Sequence, residues 1–377
     1  MTWEQVIFDL VVALLIIFVL ITGFAYLTYA ERRVVALMQV RLGPNRVGPF
    51  GLLQPLADGI KLVLKEDIVP TQADKPIFTL APMLSMVVSL IAFAVIPFTF
   101  AFGFTVRGTI IGSTGALANL NVGVLYVFAA TSLSVYGIVL GGWASNNKYS
   151  LLGGIRSSAQ VISYELALGM AVVGVLIITG SLNLSEIVSF QAAHVPNIVL
   201  QPLGFVLYCT AAIAEVNRAP FDLPEAEQEL VAGYHIEYSS FRFAMFFMAE
   251  YINMITVSAF AATLFLGGPL GPFTIISSGL SGLIWFFLKV VFFLFMFLWL
   301  RATLPRVRYD RLMSLGWLWL LPLALLNIVL TAVATVLLDR TGIIVSMSII
   351  WAAIAVFFVV AWRSSAPAQP TAQRRVA

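Results

Sequence analysis

Six acids fall within one short stretch, EVNRAPFDLPEAEQELVAGYHIE: Glu215, Asp222, Glu225, Glu227, Glu229 and Glu237, with Arg218 as its strong base. Clustered carboxylates share protons and titrate as a set, with some members raised above the ordinary carboxylate range. A partly buried set of this kind can pass protons between its members. Local helix chemistry explains only part of it. Asp222-Leu-Pro-Glu225 has the form of a helix start, with Asp222 as cap, Glu225 reaching back and Pro224 in the first turn. Glu225 and Glu229 would then share a face at i, i+4, where like charges repel. Glu215 closes an apolar run, the wrong helix end for an acid, although Arg218 three residues on can offset it. Glu215, Glu227, Glu229 and Glu237 are left without a local reason.

Two further ionisable groups sit inside apolar runs: Glu250 in FFMAEYINM and Lys289 in FFLKVVFF. Counting about 1.5 Å per residue puts them roughly 14 and 18 Å from the ends of their helices on the same side. That similar depth predicts an ion pair, either functional or purely structural. Ionisable groups at such depth usually face a bundle interior or water and mark pathways. Glu165 follows a polar, Gly-rich stretch, near the predicted start of a helix, where the helix dipole alone favours an acid.

The elements that must position these groups are membrane helices. Sixty per cent of the 377 residues are hydrophobic and only 10% are charged, too few charges to cover a water-soluble surface, where about 25% is usual. Apolar runs of about 20 residues predict an all-α polytopic membrane protein. Nine spans are expected, near 6–29, 78–101, 120–142, 161–181, 197–215, 241–266, 279–300, 315–338 and 343–362, in one membrane domain over 1–363 with a flexible tail, 364–377. The first run follows Glu4 with no Lys or Arg before it, which reads as an uncleaved span rather than a secretory signal. Eighteen of the 21 Lys and Arg residues fall in alternate loops, near their edges or in the tail, so that side is predicted to be cytoplasmic, with the N-terminus outside and the C-terminus inside. The acid stretch lies on that side, and acids contribute little to topology.

In the first cytoplasmic loop, Leu52, Leu56, Ile60 and Val63 recur at helical spacing, with Gln54, Asp58, Lys61 and Lys65 on another face. This predicts an amphipathic interfacial helix. It is either a seal on the bundle or a wall of an access path for an amphipathic ligand. A single cysteine, Cys209, and two histidines, His194 and His235, are a poor set for an iron–sulfur cluster, haem or zinc. No phosphate loop or dinucleotide fingerprint is present. No metal site and no redox centre are therefore expected in this chain, and any redox role must be shared with partners.

Five motifs, AERRVVALMQVRLGPNRVGPFGLLQPLADGIKLVLKED, GGWASNNKYSLLGGIRSSAQVISYE, AEVNRAPFDLPEAEQELVAGYHIEYSS, FFMAEY and LRATLPRVRYDRLMSLGW, run in order from about Ala30 to Trp317. Together they resemble the H subunit of bacterial respiratory complex I, subunit 1 in mitochondria. Complex I is the proton-pumping NADH:quinone oxidoreductase. The resemblance implies a multi-pass subunit of the bacterial inner membrane that forms much of the quinone chamber. Flavin (FMN) and iron–sulfur clusters would lie on partner subunits: the peripheral-arm quinone-site and terminal-cluster subunits, beside small membrane subunits and antiporter-like subunits. No nucleic acid is implied. It further implies a chamber and mouth involving Arg32, Arg33, Arg41, Arg46, Asp58 and Lys61. An acidic proton path would involve Glu165, Glu215, Asp222, Glu225, Glu227, Glu229 and Glu250, with Lys289 beside it. Arg301, Arg306 and Arg308 would serve docking and structure. The competing readings are the equivalent subunit of a membrane-bound hydrogenase or a ferredoxin- or F420-linked dehydrogenase, and a stand-alone transporter.

Overall fold

The computed structural model describes residues 3–99, 102–106, 109–113, 115–222, 232–273 and 278–337. Within them the chain is helical apart from one small hairpin. The helices are α1 (Trp3–Met38), α2 (Gln54–Leu64), α3 (Lys75–Ala92), α4 (Gly123–Ala144), α5 (Lys148–Thr179), α6 (Leu184–Ala193), α7 (Asn197–Leu200), α8 (Pro202–Glu215), α9 (Ser240–Leu266), α10 (Ser278–Thr303) and α11 (Tyr309–Leu337). Seven are long and apolar enough to cross a membrane. The polytopic helical class is thus as expected. The antiparallel hairpin β1 (Phe102–Val106) with β2 (Thr109–Ser113) is an addition to it. The ninth predicted span and the tail lie outside the described residues, as do Glu225, Glu227 and Glu229.

Three boundaries differ from expectation, each for a local reason. The first helix runs on to Met38, so Glu31, Arg32 and Arg33 ride on its last turns rather than in a loop. The fourth predicted span, α5, begins at Lys148, capped by the Asn147 side chain, which accepts from Tyr149 N at 3.0 Å. Its first turns carry Ser150, Ser157, Ser158 and Gln160 on a buried polar face, which an apolar-run criterion does not detect. The span expected over 197–215 is broken. Pro202 lacks an N–H and disfavours a helical Gln201, and Gln201 takes φ −132°, ψ 53° between α7 and α8.

The core is organised around α9, which buries 20 of its 27 residues, whereas α1 buries four of 36 and forms the rim. Glycine permits the closest approaches. A Cβ on Gly153 would meet Gly233 Cα at 2.6 Å, so α5 lies directly against the Gly233–His235 turn. Amphipathic α2 buries none of its residues. Leu56, Ile60 and Val63 are exposed, and polar bonds hold the helix. Asp58 pairs with Arg32 at 2.7 Å, and Ser240 Oγ donates to the carbonyls of Leu62 and Lys65. An apolar face outward and a polar face toward the bundle suit a helix at a membrane interface.

Candidate functional site

At the end of the bundle rich in Arg and Lys, α1, α9, α10 and the segment after α8 converge on a buried charge network. Arg218 lies just beyond α8, where the chain leaves the helix through Asn217 with φ 54°. That turn sends the Arg218 side chain toward α9 and α1. Its Nε lies 2.7 Å from Glu250 Oε1 and its Nη1 lies 3.6 Å from Glu31 Oε1. Its guanidinium stacks over the Tyr251 ring at 4.1 Å. Arg301 closes on Glu31 from α10, and Tyr251 Oη donates to Glu31 Oε2 at 2.7 Å. Arg218, Glu31 and Tyr251 are 6%, 7% and 3% exposed. Burying charge is tolerated only with such pairing and hydrogen bonding.

Glu31 also faces outward. Together with Arg32, Val35, Arg41, Leu42, Gly43, Pro44 and Arg301 it lines a cavity of about 470 Å³. Apolar walls with a few convergent charged groups are the usual make-up of a small-molecule site, and the volume is in the range of one. On the other side of Arg218, Glu215 and Glu250 line a second cavity of about 40 Å³ with Ser85, Ser89, Ser134, Asn217, Tyr234 and Asn253. That is room for water-sized occupants. Glu215 Oε2 is fully buried there without a hydrogen-bond partner among the described residues. Glu165 lies on the flank of Glu215, partly buried, and accepts from Ser132 Oγ.

The remaining predicted residues separate into two groups. Asp222 meets Arg306 at 2.9 Å. Burial pushes its carboxyl up, against the pull of Arg306 and Arg218 downward. Of the six residues expected around the chamber, Arg32 and Arg41 line the large cavity. Arg33 instead donates to Tyr29 Oη and Phe50 O at 2.6 and 2.8 Å, bracing the loop, and Asp58 holds α2. Arg46 and Lys61 are exposed away from it. Glu237 accepts from Asn147 Nδ2 at 2.7 Å, beside the N-terminus of α5. Burial lowers His235 to about 4, so its imidazole is neutral near neutral pH.

Three expectations are corrected. Arg218 engages Glu250 and Glu31 rather than Glu215, because the chain departs from helical geometry at Asn217. Glu165 is 17 residues into α5, too far from the N-terminus for the helix dipole to explain it. Lys289 does not pair with Glu250. Its Nζ donates to the carbonyls of Leu266, Gly268 and Leu270 at 2.6, 2.9 and 2.5 Å, neutralising the C-terminal end of α9. Arg301, expected to dock or brace, pairs with Glu31 and in addition lines the large cavity. Glu31 itself was not among the predicted site residues. Its signal was a lone acid directly before Arg32-Arg33 at the end of an apolar run. Among the described residues no group of three or more His, Cys, Asp or Glu could hold a metal ion.

The family model for NADH dehydrogenase matches residues 11–332. The chain is 56% identical over 340 residues to the H subunit of NADH-quinone oxidoreductase from Thermomicrobium roseum, covering 88% of this chain and 97% of that protein. It is 56% identical over 325 residues to the corresponding H subunit from Rickettsia rickettsii, covering 85% and 91%. Its likeness to the Rickettsia typhi H subunit is 56% over 317 residues, covering 83% and 89%. These matches span the cavity, the charge network and all but the ends of the chain, and the chain belongs to the NADH dehydrogenase family as an H subunit of NADH-quinone oxidoreductase, a membrane component of respiratory complex I.

Proposed function

We propose that the 470 Å³ cavity is this subunit's part of the quinone chamber, and that the Glu31–Arg218–Glu250 network couples quinone reduction there to proton movement. The observation that carries this reading is the double role of Glu31. It stands on the cavity wall and, through Arg218, is one guanidinium away from Glu250 and the small polar cavity with Glu215. A quinone takes two electrons and two protons to become a quinol. The electrons come from iron–sulfur centres on partner subunits, fed by NADH through FMN. Val35, Leu42 and Pro44 suit the apolar edge of the head group, and Arg32, Arg41 and Arg301 favour negative charge that develops on it. Charge change in the cavity alters the field at Arg218 and hence at Glu250.

The acidic line then runs Glu31, Glu250, Glu215, Glu165, with Asp222 at its mouth and Glu225, Glu227 and Glu229 following Asp222 in sequence. Lys289 belongs to the scaffold in this reading, since three carbonyls saturate its ammonium. The basic end faces the cytoplasm of a bacterial inner membrane, where the peripheral-arm subunits dock, and the antiporter-like subunits receive the coupling. The names of the relatives favour the NADH-linked enzyme over a hydrogenase.

The test is Glu250→Gln and Glu215→Gln in inverted membrane vesicles. Quinone-linked NADH oxidation and proton pumping should slow while NADH–ferricyanide activity, which bypasses the quinone, persists. Normal turnover and a normal H⁺/e⁻ ratio in both variants would overturn the reading.

A further inference from the structure

Gln160 is fully buried on α5, and both protons of its side-chain amide are spent on another segment. Nε2 donates to Ala214 O at 2.8 Å and to Phe221 O at 2.9 Å. Those two carbonyls bracket the turn that carries Glu215 and Arg218, with Asp222 directly after it. With acceptors on both sides, the amide orientation is fixed, and Oε1 is left without a partner among the described residues. A buried acceptor without a bond costs about 1–3 kcal/mol, which an apolar residue of the same length would not incur. The donor end must therefore repay that cost, and the only thing it holds is the turn.

The same face of α5 makes two more contacts with the turn. One helical step before Gln160, Ser157 Oγ accepts from Asn217 Nδ2 at 3.0 Å. One step after it, the Tyr164 ring stacks on Phe221 with centroids 6.1 Å apart. Positions 157, 160 and 164 fall on one stripe of a helix. The stripe fixes Asn217, whose positive φ directs Arg218 away from Glu215. The turn adds its own bonds, Arg218 N to Ile213 O and Phe221 N to Arg218 O. None of the three α5 side chains lines the large cavity.

We propose that Gln160, seconded by Ser157, is a positioning residue that holds Arg218 between Glu31 and Glu250. The inference rests on the functional reading above. It predicts an effect on the rate of coupled turnover and none on quinone binding, because Gln160 touches the turn and not the cavity.

The experiment uses the assembled complex in inverted vesicles, with quinone-linked rates normalised to NADH–ferricyanide activity. Gln160→Met keeps the length and removes both donors. The expected result is a kcat lowered on the order of tenfold, with KM for quinone within about twofold of wild type. Placed in a Glu250→Gln background, Gln160→Met should add less than about a twofold further loss, since residues acting through one network are not additive. Equal falls in both activities, with normal normalised kcat, would mark a folding role only and overturn the proposal, as would a full multiplicative loss in the double variant. If Gln160→Met prevents assembly, Ser157→Ala decides, with kcat lowered about threefold expected and wild-type kcat overturning. A normal Glu250→Gln removes the functional reading and this inference together. A slow Glu250→Gln beside a normal Gln160→Met removes this inference alone.

Discussion

Replacing Glu31 by Gln is the sharpest perturbation of the site, because it alters one charge and almost no volume. The amide can keep the hydrogen bond from Tyr251, which is 2.7 Å long in the native protein. It loses the attraction to Arg218 and Arg301. At an effective dielectric of about 20, the Arg218–Glu31 contact at 3.6 Å is worth roughly 5 kcal/mol of direct attraction and the Arg218–Glu250 contact at 2.7 Å roughly 6. Arg218 therefore keeps the larger half of its pairing and stays in place. Arg301 has a side chain 38% exposed, so water takes over much of what it loses. The net loss then falls on the scale of one charge-assisted hydrogen bond, about 1.5–3 kcal/mol, or roughly a tenfold to hundredfold fall in kcat for quinone-linked NADH oxidation. KM for quinone should rise as well, since Glu31 is on the cavity wall. Both are read in inverted vesicles, per unit of NADH–ferricyanide activity. Unchanged kcat and KM would refute the argument. So would an equal fall of the two activities, which would make Glu31 a folding residue.

Other outcomes follow from the same contacts. Lys289→Met should destabilise the subunit by about 2–3 kcal/mol, seen as less assembled complex and lower heat tolerance, with a normal H⁺/e⁻ ratio in what remains; a lowered ratio would return Lys289 to the proton path. Gly153→Ala drives a Cβ into Gly233 and should cost about 1–3 kcal/mol, lowering complex yield while leaving turnover per complex intact. His235 has a folded value of about 4, below its ordinary one, so it stabilises the fold fully above about pH 6.5 and loses that contribution as pH falls through about 4. Heat denaturation of solubilised complex should accordingly be less acid-sensitive over that window in His235→Gln than in wild type, and the two activity profiles should coincide between about pH 6.5 and 8. Identical acid sensitivity would contradict the assignment.

Apolar length was legible because lipid imposes it: α1, α3, α4, α9, α10 and α11 all fall on the predicted runs. Polar helix faces were not. The first turns of α5 bury Ser, Gly and Gln against protein rather than lipid, so hydropathy reads them as loop. α6 was missed for another reason: it is only 10 residues long and keeps Glu186 and Ser189 exposed, so it never forms an apolar run of membrane length. Among the charges, Glu250 and Glu215 were recognisable as acids without a local helix role, and both line the small cavity. Partner choice was not recoverable from depth or spacing. Lys289 and Glu250 share a nominal depth, yet the Gly267–Leu270 turn brings backbone carbonyls to the lysine first. Arg218 and Glu215 share a helical spacing, yet the helix has ended before Arg218. Glu31 was hidden by its neighbours, since a run of AERR reads as a basic helix end until α9 and α10 supply an interior to face.

Two buried polar knots in this bundle are built from different chemistry. Between α8 and α11, Gln201 Nε2 donates to Thr331 Oγ1 at 2.7 Å, Thr331 Oγ1 donates to Asn327 O, and Asn327 Nδ2 donates to Gln201 Oε1 at 2.9 Å. That ring is neutral and closed, and it holds helices together without burying an ion. The Glu31–Arg218–Glu250–Arg301 set lies in the same bundle but uses four ions. Burying ions costs several kcal/mol each before pairing restores it, and apolar replacements of buried ion pairs are often more stable. A bundle that can be pinned by amides has no structural need for the ionic version. The ionic set also differs in balance. Its two carboxylates and two guanidiniums sum to zero, and Arg218 faces both carboxylates at once, at 2.7 and 3.6 Å. An added negative charge in the large cavity draws on Arg301, weakens the hold of Arg301 on Glu31, and leaves Glu31 to compete with Glu250 for Arg218. A neutral ring has no such response. This difference supports the proposal that the network transmits a charge change in the cavity toward Glu250.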